Sequence, residues 1–230
     1  MDPQRQVLMV VTSHDHITPD HPTGLWLEEF AIPYQLFRRA GLEVTVASPR
    51  GGATPIDPNS NPTPEQEQEW AEAREALKET LPVDDVGALA HGAVFLPGGH
   101  GTMFDLPTNT RLRTILGQMA AAGRVIAAVC HGPAGLVSLR NEDGSPWVAG
   151  KRLTAFTDEE EREVQLAAAM PFLLETRLRE LGANVVTAPN WTDHTEVDGN
   201  LVTGQNPQSS RSSAEAVLRL MGAGELRKAA

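Results

Sequence analysis

Four short apolar runs in the first 130 residues constrain the fold of this chain more than any other feature. Residues 7–11, 44–47, 93–96 and 125–129 are rich in β-branched and other apolar side chains and do not alternate with polar ones. A strand with one wet face alternates, whereas a strand covered on both faces reads as a nearly continuous apolar run. The pattern therefore predicts the strands of a parallel sheet that is buried on both sides.

Segments with helical periodicity separate these runs. They cover residues 25–40, 64–80 and 110–122. The second half adds extended stretches at 152–156, 184–188 and 200–203, and helical stretches at 160–181, interrupted at Pro171, and 209–221. This alternation predicts an α/β fold with a doubly wound, mostly parallel sheet sandwiched by helices. We interpret residues 1–230 as one domain and the proline-rich segment 54–64 as a surface loop within it.

Charge and composition exclude several classes of protein. The chain carries 30 acidic and 19 basic side chains, a formal charge of -11. Because this charge repels a phosphate backbone, we expect no nucleic-acid partner. No apolar run approaches the roughly 20 residues of a membrane-spanning helix, the N-terminus does not resemble a secretory signal, and one cysteine cannot form an internal disulfide. We therefore expect a cytoplasmic protein without a membrane partner.

The single cysteine, Cys130, comes at the end of the fourth apolar run. Small residues stand two positions before and after it, at Ala128 and Gly132, and Pro133 suits the first turn of a helix. A nucleophile elbow needs such small flanks because strand and helix approach each other closely at the turn. We expect the start of the following helix to favour the thiolate. A lone cysteine is also a common buried apolar residue, but this context favours a nucleophile, with the adjacent His131 stabilising charge or moving a proton.

Several separated motifs resemble one known group of proteins. They are Ala-Val-Cys130-His131-Gly-Pro-Ala, Gly98-Gly99-His100-Gly101, the segment from Thr23 through Glu29 to Pro33, and the closing segment 198–207. Together they look like the DJ-one/PfpI superfamily, and most like its heat-shock-protein-thirty-one-like members, which are associated with glyoxalase III activity. The resemblance implies a flavodoxin-like fold similar to that of class I glutamine amidotransferase domains.

The resemblance also implies roles for particular residues. Glu29, four residues before Pro33, holds the place of a glutamate that lies against the cysteine sulfur, and we expect it to act as general acid and base with a raised pKa. The loop formed by Gly98, Gly99, His100 and Gly101 is similar to the family's oxyanion loop. Glu161 fits the third member of a Cys-His-Glu triad, with Asp158 and Glu160 as substitutes, although four acids in a row are also typical of a solvated helix start.

The resulting functional hypothesis is a glutathione-independent conversion of methylglyoxal, or a related small 2-oxoaldehyde, to a 2-hydroxy acid, which is D-lactate in the family. Cys130 would form a hemithioacetal and Glu29 would move a proton between neighbouring carbons. Three alternatives remain open: removal of glycation adducts or hydrolysis of small amides with the same cysteine, a thiol sensor, and a holding chaperone that depends on an exposed apolar patch.

Other residues receive weaker predictions. His14, Asp15, His16 and His21 are interpreted as solvent-exposed loop residues rather than metal ligands, and no cofactor or metal is expected. Trp26 and Trp191 are expected to flank the pocket, and Trp70 and Trp147 to pack in the interior. The family often dimerises, so we expect a homodimer.

Overall fold

A seven-stranded sheet forms the centre of the protein. The computed structural model describes residues 2–223. The strands are β1 (Gln6–Val10), β2 (His16–Thr18), β3 (His21–Pro22), β4 (Glu43–Ser48), β5 (Leu81–Pro82), β6 (Ala93–Leu96), β7 (Val125–Val129), β8 (Arg152–Leu153), β9 (Asn184–Val185), β10 (Thr195–Asp198) and β11 (Leu201–Gly204). In the central sheet the order is β10-β11-β7-β6-β1-β4-β5, and only the edge strand β10 runs antiparallel to its neighbour.

The central strands are buried on both faces, which explains their unbroken apolar sequence. Along β1, Leu8 and Val10 join one apolar cluster, whereas Val7 and Met9 join the other. All four side chains are fully buried. The expectation of a parallel sheet covered on both sides is therefore confirmed.

Helices cover the two faces of this sheet. They are α1 (Leu27–Arg39), α2 (Pro64–Glu69), α3 (Ala71–Ala76), α4 (Thr102–Asp105), α5 (Thr110–Ala121), α6 (Asp158–Glu163), α7 (Leu174–Glu180) and α8 (Ser210–Leu220). Helices α1 and α8 pack against each other on one face, and α5 adds Leu112 and Ile115 to the cluster on the other. Among the helices of residues 2–223, none combines the length and the apolar character needed to cross a bilayer.

The order of the strands in the sheet indicates where a ligand would bind. The five main parallel strands lie in the order β4-β1-β6-β7-β11, which is the flavodoxin-like order, and its reversal falls between β1 and β6. Ligands of such sheets bind beyond the carboxyl ends of the strands at that point. The segments that follow β1, β6 and β7 meet there, and they contain Glu29, the loop 98–101 and Cys130.

Two predicted helices are broken in the structure. The helix predicted at 64–80 is divided into α2 and α3 at Trp70, whose backbone leaves the helical region while its ring is buried against the core. The helix predicted at 160–181 ends at Glu163, because Gln165 adopts a left-handed φ of 62°. Gln165 N–H donates to the Arg162 carbonyl and Leu166 N–H to the Glu161 carbonyl, a helix-ending pattern that sequence periodicity does not reveal.

The segment 54–64, predicted to be a surface loop, is partly buried. Asp57 and Ser60 are buried, and the Asp57 carboxylate accepts a hydrogen bond from Thr23 Oγ1 at 2.7 Å. Ser60 Oγ accepts the N–H of Leu27 at 3.0 Å. Trp26, at the start of α1, offers no side-chain cap, so this segment supplies one and helps to fix the helix that carries Glu29.

Candidate active site

Cys130 occupies a strained turn directly after β7. Its φ of 59° is in the left-handed region, where non-glycine residues are rare. Its N–H donates to the Gly204 carbonyl at 2.9 Å, so the neighbouring strand holds the turn. A Cβ on Gly132 would lie 2.0 Å from the Leu96 carbonyl oxygen. The strained cysteine and the close approach at Gly132 give this turn the geometry of the predicted nucleophile elbow, and the role of Cys130 as a nucleophile stays a prediction.

The chain after this elbow differs from the prediction. Residues Gly132–Leu136 form a five-residue 3₁₀-helix rather than an α-helix, so few peptide dipoles align behind the sulfur. Burial, followed by the neighbouring Glu29, raises the pKa of the Cys130 thiol, and the backbone N–H of His131 offsets only part of this. The expectation that position alone favours the thiolate is therefore wrong, and the thiol needs a base to react.

Glu29 projects from the first turn of α1 into the same site. Its side chain is fully buried, and its Oε2 accepts the Gly98 N–H at 2.7 Å. The carboxyl group faces the Cys130 thiol, whereas the preceding Glu28 is partly exposed. Burial raises the pKa of Glu29 to about 8, so the group holds its proton at neutral pH. Glu29 rather than Glu28 therefore lies in the site with a raised pKa, and its role as general acid and base stays a prediction.

His131 connects the thiol to a buried carboxylate. Its Nδ1 lies 3.3 Å from Cys130 Sγ, and its Nε2 lies 2.7 Å from Glu161 Oε2. Burial, followed by the His100 ring, lowers the pKa of His131, which keeps the imidazole neutral at pH 7. With Glu161 ionised, Nε2 carries the hydrogen and donates it, and the Nδ1 lone pair faces the thiol. The geometry is that of a Cys-His-Glu triad.

Glu161 is ionised because two histidines share it. Its Oε2 contacts His131, and its Oε1 lies 2.9 Å from His100 Nε2. Burial alone raises the pKa of a carboxyl group, but the hydrogen bonds and favourable electrostatics from His131 and His100 outweigh it and hold the pKa of Glu161 well below its usual range. The carboxylate is therefore a stable acceptor for both imidazoles.

The two alternative triad acids make other contacts. Asp158 bonds the N–H of Thr176 in α7. Glu160 is fully buried, and its Oε1 accepts hydrogen bonds from Trp191 N–H and from the side chains of Gln205 and Asn206. Neither carboxylate reaches His131 by a hydrogen bond within residues 2–223. The structure thus selects Glu161 among the acids of α6.

The loop that follows β6 offers fewer amides than the sequence suggests. The N–H of Gly98 is already donated to Glu29, and that of Gly101 to the Gly24 carbonyl at 3.3 Å. Within the described part of the chain, the N–H groups of Gly99 and His100 have no such partner. Gly99 has a φ of +96° and would clash with Gly24 if it carried a Cβ, so the turn requires glycine. Gly99 and His100 are therefore the loop's candidate oxyanion donors.

The His100 side chain takes a position that the sequence did not predict. It pairs with Glu161 instead of lying free beside the oxyanion loop, and its ring centroid is 4.2 Å from that of His131. His100, His131 and Glu161 also form the one group of potential metal ligands found among residues 2–223. Their N···O distances of 2.7 and 2.9 Å are those of hydrogen bonds, which indicates an imidazole–carboxylate network.

The remaining sequence predictions fall around this centre. His16 and Asp15 are exposed and pair with each other at 3.0 Å, while the His14 ring stacks on Phe104. The Trp191 ring meets the Phe156 ring edge-on, with 5.6 Å between the ring centroids. Trp26 contributes its N–H to the Gly98 carbonyl at 3.2 Å.

Sequence reasoning gave no role to Phe156, which forms a wall of the site. Its ring centroid lies 4.4 Å from that of His131, and its N–H donates to the Cys130 carbonyl at 2.9 Å. Phe156 directly precedes the helix cap Thr157 and the acids of α6. The sequence did contain a signal for Phe156: it is an aromatic residue that follows a strand and directly precedes a capped run of acidic residues.

Comparison with known proteins places the chain in a family. The DJ-1/PfpI family model matches residues 23–220. The protein belongs to the DJ-1/PfpI family. It is 35% identical over 239 residues, 96% of this chain and 97% of the relative, to "Glutathione-independent glyoxalase hsp3101" of Schizosaccharomyces pombe.

Two solved structures have nearly the same fold. Glyoxalase III of Candida albicans is 30% identical, with a TM-score of 0.86 over 95% of this chain and 98% of that one. Rapid Encystment Protein 24 kDa of Francisella tularensis is 33% identical, with a TM-score of 0.89 over 94% of this chain and 99% of that one. The predicted family and fold class are thus confirmed.

Proposed function

We propose that this protein is a glutathione-independent glyoxalase that converts methylglyoxal or a similar small 2-oxoaldehyde to the 2-hydroxy acid. The observation that carries the proposal is the enclosure of a thiol, a protonated carboxyl group and a His–Glu pair in one site. Cys130 is 4% exposed, Glu29 0%, His131 1% and Glu161 3%. The relatives named as glyoxalases support it.

The first step joins the thiol to the aldehyde carbon. The Cys130 S–H proton passes to His131 Nδ1 as the sulfur attacks, and the aldehyde π electrons move to oxygen. The N–H groups of Gly99 and His100 are placed in the loop to stabilise this oxyanion. Glu29 then donates its proton to the oxyanion, which leaves a hemithioacetal, a Glu29 carboxylate and a protonated His131.

The second step moves hydrogen from the former aldehyde carbon to its neighbour. The Glu29 carboxylate takes the carbon-bound proton, the released electron pair forms the enediol, and His131 protonates the ketone oxygen. Glu29 returns its proton to the neighbouring carbon while the enediol O–H proton passes to His131, which forms a thioester. Because one buried carboxyl group performs both transfers, bulk water is excluded from the exchange.

Water then releases the product. It attacks the thioester carbonyl and gives one proton to the Glu29 carboxylate, and the departing sulfur takes a proton from His131. The site returns to its starting state, with Cys130 as thiol, Glu29 protonated and His131 neutral. This cycle uses Cys130, Glu29 and His131 in roles that their contacts permit, and Glu161 holds the His131 ring throughout.

The proposal also includes a homodimer, on the basis of the family resemblance, and a cytoplasmic location, which the single cysteine led us to expect. Sedimentation of the purified protein at several concentrations gives its assembly state, and a monomer throughout would remove that part.

The function is tested by lactate formation. Purified wild type and Cys130→Ala are incubated with methylglyoxal without glutathione, and D-lactate is followed by a stereospecific assay. We expect lactate from the wild type and none above the uncatalysed rate from Cys130→Ala, with Glu159→Gln, an exposed acid of α6, as the active control. No lactate from a folded wild type would refute the proposal and direct the work to amide or glycation-adduct substrates.

A further inference from the structure

We propose that His100 is a positioning residue, which holds the second oxygen of Glu161 and thereby keeps the His131 Nδ1 lone pair directed at the Cys130 thiol. This inference deepens the proposed function and rests on it for its kinetic consequences. The Gly-Gly-His-Gly motif alone indicates a loop whose backbone N–H groups bind an oxyanion. In the structure the histidine side chain also forms a hydrogen bond, to Glu161.

The geometry shows why a triad with one histidine is incomplete here. A carboxylate has two oxygens, and Glu161, at 3% exposed, cannot satisfy the second with bulk water. His100 Nε2 meets Oε1 at 2.9 Å while His131 Nε2 meets Oε2 at 2.7 Å. The carboxylate is thus held from both sides, and rotation about its last bond would break both hydrogen bonds.

The backbone of the loop fixes His100 itself. Thr102 donates its N–H and its Oγ1–H to the Gly99 carbonyl, at 3.1 and 2.8 Å, and Met103 N–H donates to the His100 carbonyl at 3.1 Å. A Cβ on Gly101 would meet the His14 carbonyl oxygen at 2.5 Å. The loop is therefore packed tightly on both sides of His100, and its side chain has a rigid base.

The effect on chemistry passes through the tautomer of His131. Nδ1 can accept the thiol proton only when Nε2 carries the hydrogen, and the hydrogen bond to Glu161 selects that form. If Oε1 lost its partner, the carboxylate would be free to rotate about its last bond, and the hydrogen bond that selects the Nε2–H form would no longer be fixed in direction. His100 makes no hydrogen bond to Cys130 or Glu29 within residues 2–223, so its hydrogen-bonding influence on the thiol runs through Glu161.

Three variants separate this role from others. His100→Leu removes the donor, and His100→Gln restores one, because its terminal nitrogen stands near the place of the histidine Nε2. His91→Leu is the matched control, since His91 is another buried histidine, bonded to the Gly87 carbonyl before β6 and outside the site. We expect His100→Leu to lower kcat about tenfold or more with KM within about twofold, His100→Gln to recover most of kcat, and His91→Leu to retain the wild-type value.

Two further measurements keep the test decisive. ¹⁵N chemical shifts should show His131 as the Nε2–H tautomer in the wild type and as a mixture in His100→Leu, a readout that does not need an active enzyme. In a double-mutant cycle, His100→Leu should have little further effect on kcat once Glu161→Gln is present, because both act through one carboxylate. If His100→Leu does not fold, His100→Ala, which also removes the donor, and the cycle built on it supply the same comparison.

The outcomes distinguish the inference from the proposed function. Wild-type kcat and an unchanged His131 tautomer in folded His100→Leu would overturn the inference while leaving the glyoxalase proposal intact. A raised KM with unchanged kcat would show that His100 contacts substrate directly. Full additivity with Glu161→Gln would show that His100 acts independently of Glu161, and either result also overturns the inference. Lactate formation by Cys130→Ala at the wild-type rate would instead contradict the proposed function.

Discussion

Replacing Glu29 by glutamine should make the protein's stability less sensitive to a rise in pH from about 4.5 to about 8. Glutamine keeps the shape and the oxygen that accepts the Gly98 N–H, but it has no proton to lose. Burial raises the pKa of Glu29 from 4.5 to about 8, so between these values the folded state binds a proton that the unfolded state has released. Stability from this group is therefore complete at low pH and declines as pH rises toward 8.

The size of the effect follows from the same two values. At 1.36 kcal/mol for each pH unit over which the two states differ by one proton, the wild type should lose about 3 kcal/mol between roughly pH 5.5 and pH 8.5 through Glu29 alone. Urea unfolding at both pH values measures this loss. Glu29→Gln should remove most of it, and the exposed Glu159→Gln should not. Parallel pH dependence in wild type and Glu29→Gln would refute the assignment of a buried, protonated Glu29.

Three other predictions concern the same neighbourhood. Because Glu29 starts the cycle protonated with a pKa of about 8, kcat/KM for methylglyoxal should fall as pH rises above about 8, and a rate that keeps rising there would argue against its role as acid. Gly132→Ala places a Cβ 2.0 Å from the Leu96 carbonyl oxygen and should lower the free energy of unfolding by about 3 kcal/mol or more. Gly117→Ala places its Cβ 3.7 Å from the Leu139 side chain and should raise the free energy of unfolding by about 0.5–1 kcal/mol in the same urea experiment. Similar values for the two variants would contradict the close approach at Gly132. Glu160→Gln alters the buried group that accepts hydrogen bonds from Trp191, Gln205 and Asn206 and should cost about 2–3 kcal/mol in urea unfolding. Wild-type stability would show that these hydrogen bonds do not stabilise the fold.

Much of the fold could be predicted because its signals are local. The apolar runs that become β6 and β7 fall on the observed bounds, since a strand buried on both faces leaves an unbroken record in the sequence. The sharp turn at Cys130 could also be predicted from the sequence, because the end of a strand and the small flanking residues occur within five positions. The division of this region into the short helices α6 and α7 could not be predicted, because the left-handed turn at Gln165 ends α6 without a glycine.

The site was predicted less completely for a different reason. Glu29 and His131 could be placed by their motifs, and the acid run narrowed the third triad member to three residues. The choice of Glu161 depends on which face of α6 meets the site, and the His100–Glu161 bond joins residues 61 positions apart. The raised pKa of the thiol depends on burial by Glu29 and the surrounding core. These are properties of tertiary packing, which a single sequence does not display.

The most direct test of the central account follows hydrogen through the reaction. Methylglyoxal carrying deuterium on the aldehyde carbon is converted in ordinary water, and the lactate is examined for deuterium on the carbon beside the carboxylate. Because Glu29 is fully buried, the account predicts a slower reaction with the labelled substrate, deuterium retained in part of the lactate, and no turnover by Glu29→Gln. Lactate in which solvent hydrogen has replaced all the deuterium, or wild-type turnover by Glu29→Gln, would contradict it.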